Sequence, residues 1–312
     1  MQLGVFISEV TADRTSVGDL LTNARRAEEL GFATGWVPHI PWSFDGLAAL
    51  TLAATVTDTL ELGTAVMPTY TRHPLAMAQL ALSAQAVSGG RLALGIGPSH
   101  PVVIETMFGM EYTSPAQHTR EYAQVLRAAF ACTGHVAYEG EHFRVSAMLD
   151  VPGAAPAPIL IAALAPLMLQ VAGEVADGTI TYWANERAVA EHIVPRITRA
   201  AGQAGRPSPR VIVGIPIAVV DDVDRGLAEA AALFDAYNSI STYQRIMARG
   251  GDDVTPREIA IVGTEREVLT RLRAYADAGA TDIAAAPIGL GPDPAAARRR
   301  TLELLGSLHG QF

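Results

Sequence analysis

The sequence predicts one domain, residues 1–312, folded as a (β/α)8 TIM barrel with a small hairpin insertion. Three observations carry that expectation. Short apolar runs alternate with amphipathic stretches about eight times along the chain. The runs are blocks of Val, Ile, Leu and Ala rather than strict alternations, the pattern of strands buried on both faces. A chain of 312 residues accommodates eight strand–helix units, and no linker or repeat divides it.

The units follow in order. A strand over 3–7 precedes a helix over 17–30, with Ser16 as its cap, Asp19 in its first turn and Gly31 ending it. A strand over 34–37, a helix over 45–57 and a strand over 60–66 come next. Pro74 opens a helix over 74–87, followed by a strand over 91–97 and a helix over 115–132. Residues 135–145 alternate in polarity and turn at Glu139-Gly140, which predicts a hairpin. Strands over 158–163, 178–183, 210–220 and 282–288 complete the eight. Helices start at Pro166 and cover 186–204, 265–278 and 294–308, the third opened by a capping box from Thr264 to Glu267. Residues 223–250 read as helix without clear divisions.

Composition narrows the function. Hydrophobic residues make up 49% and charged ones 18%, as in a well-packed globular enzyme. A net charge of −9 disfavours nucleic acid as a partner. The single cysteine, Cys132, makes neither a disulfide nor a cysteine metal site and reads as a small buried hydrophobe. The N-terminus lacks a signal-peptide pattern, and no apolar run reaches bilayer length. These features point to a cytoplasmic enzyme acting on a small molecule, with no membrane partner.

In a barrel of this kind, chemistry collects where strands end and loops begin. That rule selects residues 8–16, 38–44, 66–73, 98–114, 162–166, 182–185 and 287–293. His100 ends GIGPSH directly after a buried strand, and His39 lies in WVPHIPW at the end of the second. An imidazole at either place can donate a hydrogen bond or exchange a proton near neutral pH. No metal motif, nucleophile elbow or complete dinucleotide fingerprint is present. Ala162, Ala163, Leu164 and Ala165 form a small-residue turn ahead of a helix opening at Pro166. Free N–H groups at such a helix start suit a phosphate. Tyr70, Met107, Tyr182 and Trp183 are the candidate walls of a substrate pocket.

The segment LELGTAVMPTYTRHPLAMAQLALSAQAVSGGRLALGIGPSH resembles the luciferase-like monooxygenase superfamily. GPSHPVVIETMFG, REYAQVLRAAF, VPGAAPAPILIAAL and AGEVADGTITYW resemble its coenzyme F420-dependent oxidoreductase branch, common in actinobacteria, and the likeness runs along essentially the whole chain. It implies a cis peptide at Ala65–Val66 behind the cofactor ring and a cofactor phosphate on the Ala162–Ala165 turn. It also implies an acid role for His100, the position at which one relative carries its catalytic acid. Relatives often have an Asp-His pair after the second strand, where this chain has Pro38-His39. The implied activity is hydride transfer between the deazaflavin F420 and a small organic substrate, in a homodimer. FMN is the alternative cofactor, as in a flavin monooxygenase, and a non-catalytic flavin-binding protein is the alternative outside enzymology.

Overall fold

The computed structural model describes residues 1–8, 15–131 and 134–312. The segment 9–14 and the Cys132 prediction lie outside these described residues. The strands are β1 Gln2–Phe6, β2 Thr34–Val37, β3 Glu61–Thr64, β4 Met67–Pro68, β5 Leu92–Gly97, β6 Gly134–Glu139, β7 Arg144–Leu149, β8 Ile159–Ala162, β9 Gly178–Tyr182, β10 Arg210–Val219, β11 Ile261–Gly263 and β12 Asp282–Pro287. The first helices are α1 Val17–Glu29, α2 Gly46–Ala54, α3 Pro74–Val87, α4 Pro115–Ala131, α5 Pro166–Val175, α6 Glu186–Ala188 and α7 Val194–Gln203. The remainder are α8 Val223–Leu233, α9 Ser241–Gly250, α10 Pro256–Ile259, α11 Glu265–Asp277 and α12 Pro294–Ser307.

Eight strands close in the order β1, β2, β3, β5, β8, β9, β10, β12 and back to β1, every pair parallel. This is the predicted barrel. Strand side chains alternate between two cores. Phe6, Trp36, Ala93, Leu160, Ile180, Ile212, Ala284 and Ala286 fill the inside. Leu3, Val5, Leu94, Ile161, Val213 and Ala285 face the helices. With both faces buried, no polar alternation is left to read, which is why the strands appear as apolar blocks.

Several boundaries differ from the sequence reading. The predicted 60–66 strand splits into β3 and β4, because the chain bulges. Leu62 pairs with Leu92 but Met67 pairs with Ile96, so five steps on one strand face four on the other. The Thr64 hydroxyl patches the gap, donating to Gly95 O at 2.7 Å and accepting from Gly95 N at 2.8 Å. Residues 223–250 divide into α8, a 3-10 turn at Asp235–Ser239 and α9. The 186–204 helix is interrupted by a π-turn at Val189–Ile193. β11, not anticipated, takes the upper edge of β10, with Ile217 to Val219 opposite Ile261 to Gly263.

The hairpin is longer than predicted and turns later, at Gly140–Phe143, between β6 and β7. Its tip is not free. The buried Glu121 carboxylate on α4 accepts from the N–H groups of Glu141, His142 and Phe143. Among the described residues no helix is long and apolar enough to cross a membrane.

Candidate active site

The inner face of the barrel is stepped. Trp36 lies across the floor, fully buried, and fits only because its neighbours are glycines. A Cβ on Gly4 would stand 2.5 Å from the indole nitrogen, and one on Gly63 would stand 2.2 Å from its ring. Ala65 and Val66 pack against this inner core, and the peptide between them is cis. Toward the ends of β5 and β8 the inward positions become small. Gly97 is pinched so closely that a Cβ there would meet both Ala162 Cβ and Val66 Cγ2 at 2.9 Å. Three segments named from the sequence, Ala65–Val66, the end of β5 and the end of β8, thus converge on one place.

The Ala162–Ala165 turn feeds α5, whose N-cap Ala165 offers no side-chain hydrogen bond and whose first residue is Pro166. The first-turn N–H groups of Leu167 and Met168 therefore have no side-chain cap, the condition under which a helix start accepts an anion. Period-two alternation corrects one detail. Ala163 points outward and is 1% exposed in the outer core, whereas Ala162 faces Val66 and Gly97 inside. Leu164 gives its carbonyl to His192 Nε2 at 2.7 Å.

His100 sits where β5 gives way to a loop that continues as a π-turn at Val102–Met107. Its backbone carbonyl accepts from Val103 N and Ile104 N, and its ring makes an edge contact with Tyr243, centroids 5.3 Å apart. The imidazole has no hydrogen-bond partner among the described residues. Burial holds its pKa below the ordinary histidine value, so it is neutral at neutral pH.

His39 is organised differently. Its Nδ1 accepts from Gly46 N at 3.2 Å, at the start of α2, which leaves the ring proton on Nε2. Asp45 Oδ2 stands 3.7 Å from the same nitrogen and 2.8 Å from Arg72 Nη2. Asp45 is the N-cap of α2, so the carboxylate nearest this histidine comes from the helix start. Burial holds His39 below its usual value, against the attraction of Asp45 and with the help of Arg72.

The predicted pocket residues are spread apart. Tyr182 faces inward at the end of β9, its ring over Gly214. Trp183 turns away through a positive φ of 58° and is fully buried against Phe234 and Tyr237, so it backs the wall rather than forming its surface. Tyr70 stacks on His118 and donates to Thr113 O, tying two loops together. Met107 is 55% exposed on the π-turn. Tyr237 and Tyr243 were missed by sequence reasoning. Both join Tyr182 at the mouth, and both come from the stretch whose divisions could not be read.

A family model of luciferase-like monooxygenases matches residues 1–282, nine-tenths of the chain, which takes in seven of the closing strands and reaches the first residue of the eighth. The chain belongs to the luciferase-like monooxygenase family. Membership makes it an oxidoreductase. Within the family it is 26% identical over 325 aligned positions to the 5,10-methylenetetrahydromethanopterin reductase of Methanopyrus kandleri, covering 90% of each chain. Its fold is similar to the solved coenzyme F420-dependent tetrahydromethanopterin reductase from Methanopyrus kandleri, with a TM-score of 0.78, 23% identity and 98% and 97% of the two chains covered. It is also similar in fold to the monooxygenase RslO1 of Streptomyces bottropensis, with a TM-score of 0.80, 22% identity and 100% and 99% covered.

Proposed function

We propose that this luciferase-like chain is a coenzyme F420-dependent oxidoreductase that moves a hydride between the deazaflavin and a small organic substrate. The observation that carries the reading is the convergence of Ala65–Val66, Gly97 and Ala162 beside a partnerless, neutral His100. The methanopterin reductase relative and the F420-dependent solved fold support the choice of cofactor. The site fits a flat ring with a phosphate tail. Small residues, Ala65, Gly97 and Ala162, meet where a planar group would lie, and the uncapped start of α5 offers N–H groups to an anion.

When bound, a deazaflavin supplies a hydride-transferring carbon that reacts poorly with oxygen. The chain does the rest. Ala65 and Val66 back the ring, while the Ala162–Ala165 turn with Leu167 N and Met168 N holds the phosphate. His100 exchanges a proton with the substrate oxygen. Because it is neutral, one ring nitrogen holds a proton and the other is free to accept one. His39, its Nδ1 engaged by Gly46, offers Nε2–H as a fixed donor to the same region.

Fluorescence titration with F420 and with FMN tests the cofactor. Saturable binding of F420 with weaker binding of FMN supports the reading, and the reverse favours the second reading, an FMN monooxygenase, of which the likeness in fold to the monooxygenase RslO1 supports the monooxygenase part. His100→Ala tests the proton: turnover should fall by about 10²–10⁴-fold with F420 affinity largely kept. Normal turnover at saturating cofactor ends the proton-exchange role. The phosphate turn is tested at Ala162, not the outward Ala163: Ala162→Ile should weaken F420 binding.

We further propose that the chain pairs with a second copy through α2 and α3. These helices contribute 9 and 14 residues without one charged side chain, in a chain of net charge −9. Leu52 and Val87 are exposed on them, and two acidic molecules meet there without repulsion. Sedimentation should report a dimer, and Leu52→Asp with Val87→Asp should yield monomer.

A further inference from the structure

The mouth of the barrel carries a wall that the cofactor reading does not use. Tyr182 rises from β9, Tyr237 from the 3-10 turn and Tyr243 from α9. Their rings form a triangle with centroids 5.9 Å (Tyr182–Tyr237), 6.3 Å (Tyr182–Tyr243) and 5.5 Å (Tyr237–Tyr243) apart. Trp183 and Phe234 brace the triangle from behind, each fully buried or nearly so. Tyr243 turns its other side to His100. All three tyrosines remain partly open to solvent, and none of their hydroxyls has a hydrogen-bond partner among the described residues.

Phenols held in apolar surroundings usually find a partner for the hydroxyl. Three that have none, on one braced wall beside the one partnerless imidazole at this mouth, leave their donors available to a ligand. We propose that Tyr182, Tyr237 and Tyr243 form the substrate-binding wall, and that it takes an uncharged compound with a flat apolar body and an acceptor oxygen presented toward His100. This rests on the oxidoreductase reading and names the substrate class for it. Tyr243 is the residue that joins the wall to His100.

The charge argument follows from what the wall presents. Burial raises the pKa of all three phenols and lowers that of His100, so these four groups are neutral at neutral pH. An anionic substrate would shed its hydration against aromatic rings that offer it no counter-charge. Arg245 and Arg249 share α9 with Tyr243 but are exposed. A flat neutral body loses nothing on transfer and gains aromatic contact with the ring edges and faces.

Acetophenone and 4-acetylbenzoate, which differ by one carboxylate, are the test pair. Their dissociation constants are measured on the whole chain by ligand-observed NMR, once without cofactor and once with F420. Acetophenone should bind at least about 10-fold more tightly than its anionic twin. Tyr243→Ala should weaken acetophenone by about 10-fold, and Tyr243→Phe, which keeps the ring, by about 5-fold through loss of the hydroxyl alone. The proposal is overturned if 4-acetylbenzoate binds as tightly, if neither compound binds, or if Tyr243→Phe binds acetophenone as the parent does. The titration without cofactor keeps this test separate from the F420 reading. Should F420 itself fail to bind, a neutral preference that depends on Tyr243 still stands.

Discussion

His118 is 8% exposed, lies 4.0 Å from Tyr70 in a parallel stack, and has an Nε2 atom with no partner. Burial, with His142 adding to it, pushes its pKa down to about 4, against the Thr69 carbonyl and Glu121, which favour the charged form. The unfolded chain binds a proton at this residue near the ordinary value of 6.5, but the folded chain does not until about pH 4. Stability is therefore complete above the ordinary value and falls as pH drops from there toward 4, by on the order of 3 kcal/mol. Urea melts at pH 7 and pH 5 should show about 2 kcal/mol of that loss, and His118→Phe should flatten it; an equal loss in the variant would assign the acid sensitivity elsewhere. Gly63 makes a second residue-scale case. Trp36 is hemmed by Gly4 on its other side, so it has no room to yield to a new methyl group. Gly63→Ala should cost more than about 3 kcal/mol by urea denaturation. At this scale the histidines were legible because they follow buried strands. The tight glycines were not, since the indole that demands them comes from another strand.

Among the elements, the hairpin is tied at its tip to α4 through one carboxylate. Its turn amides end on the Glu121 carboxylate, at 3.1, 2.7 and 3.2 Å. Glu121→Ala would leave three amides without an acceptor, each worth about 1 kcal/mol. Amide exchange at Glu141, His142 and Phe143 should speed up by at least about 10-fold, while exchange in β5 and β8 stays slow. Uniform acceleration through the barrel would show that the hairpin is part of the global core. Element identity was legible wherever local chemistry sets it. The Ser16–Asp19 and Thr264–Glu267 caps stand where the sequence put them. The break after α8 was not legible, because it is set at a distance. Phe234 and Tyr237 leave the helix to pack on Trp183. β11 has only three residues and is defined by its pairing with β10, which no local pattern records.

Over the whole molecule, the end of the barrel opposite the mouth is closed by charge. Arg210, at the start of β10, makes two contacts of 3.0 Å with the Glu61 carboxylate at the start of β3 and two, of 2.7 and 3.4 Å, with Asp282 on β12. In the ring of eight strands, β10 and β3 stand four places apart in either direction, so this pair spans the barrel's diameter. Both carboxylates hold the guanidinium well above its usual pKa, against a burial penalty. Arg210→Met should destabilise the fold by about 3–5 kcal/mol, because Glu61 and Asp282 would be left without their cation. A urea midpoint close to that of the parent would show that water screens both. Barrel closure could be inferred by counting strands. A link between residues 149 positions apart could not.

The three tryptophans also make the molecule an optical instrument. Trp36 lies in the barrel floor against Ala65 and Val66, Trp183 lies behind the tyrosines, and Trp42 stands 66% exposed on the rim. Buried indoles emit toward the blue and are sheltered from ionic quenchers, whereas an exposed one emits toward the red and is not. Iodide should therefore strip the Trp42 signal and leave light from the two interior sites. A compound that dims this iodide-resistant emission has entered the barrel, and one that changes only the quenchable part has stopped at the rim.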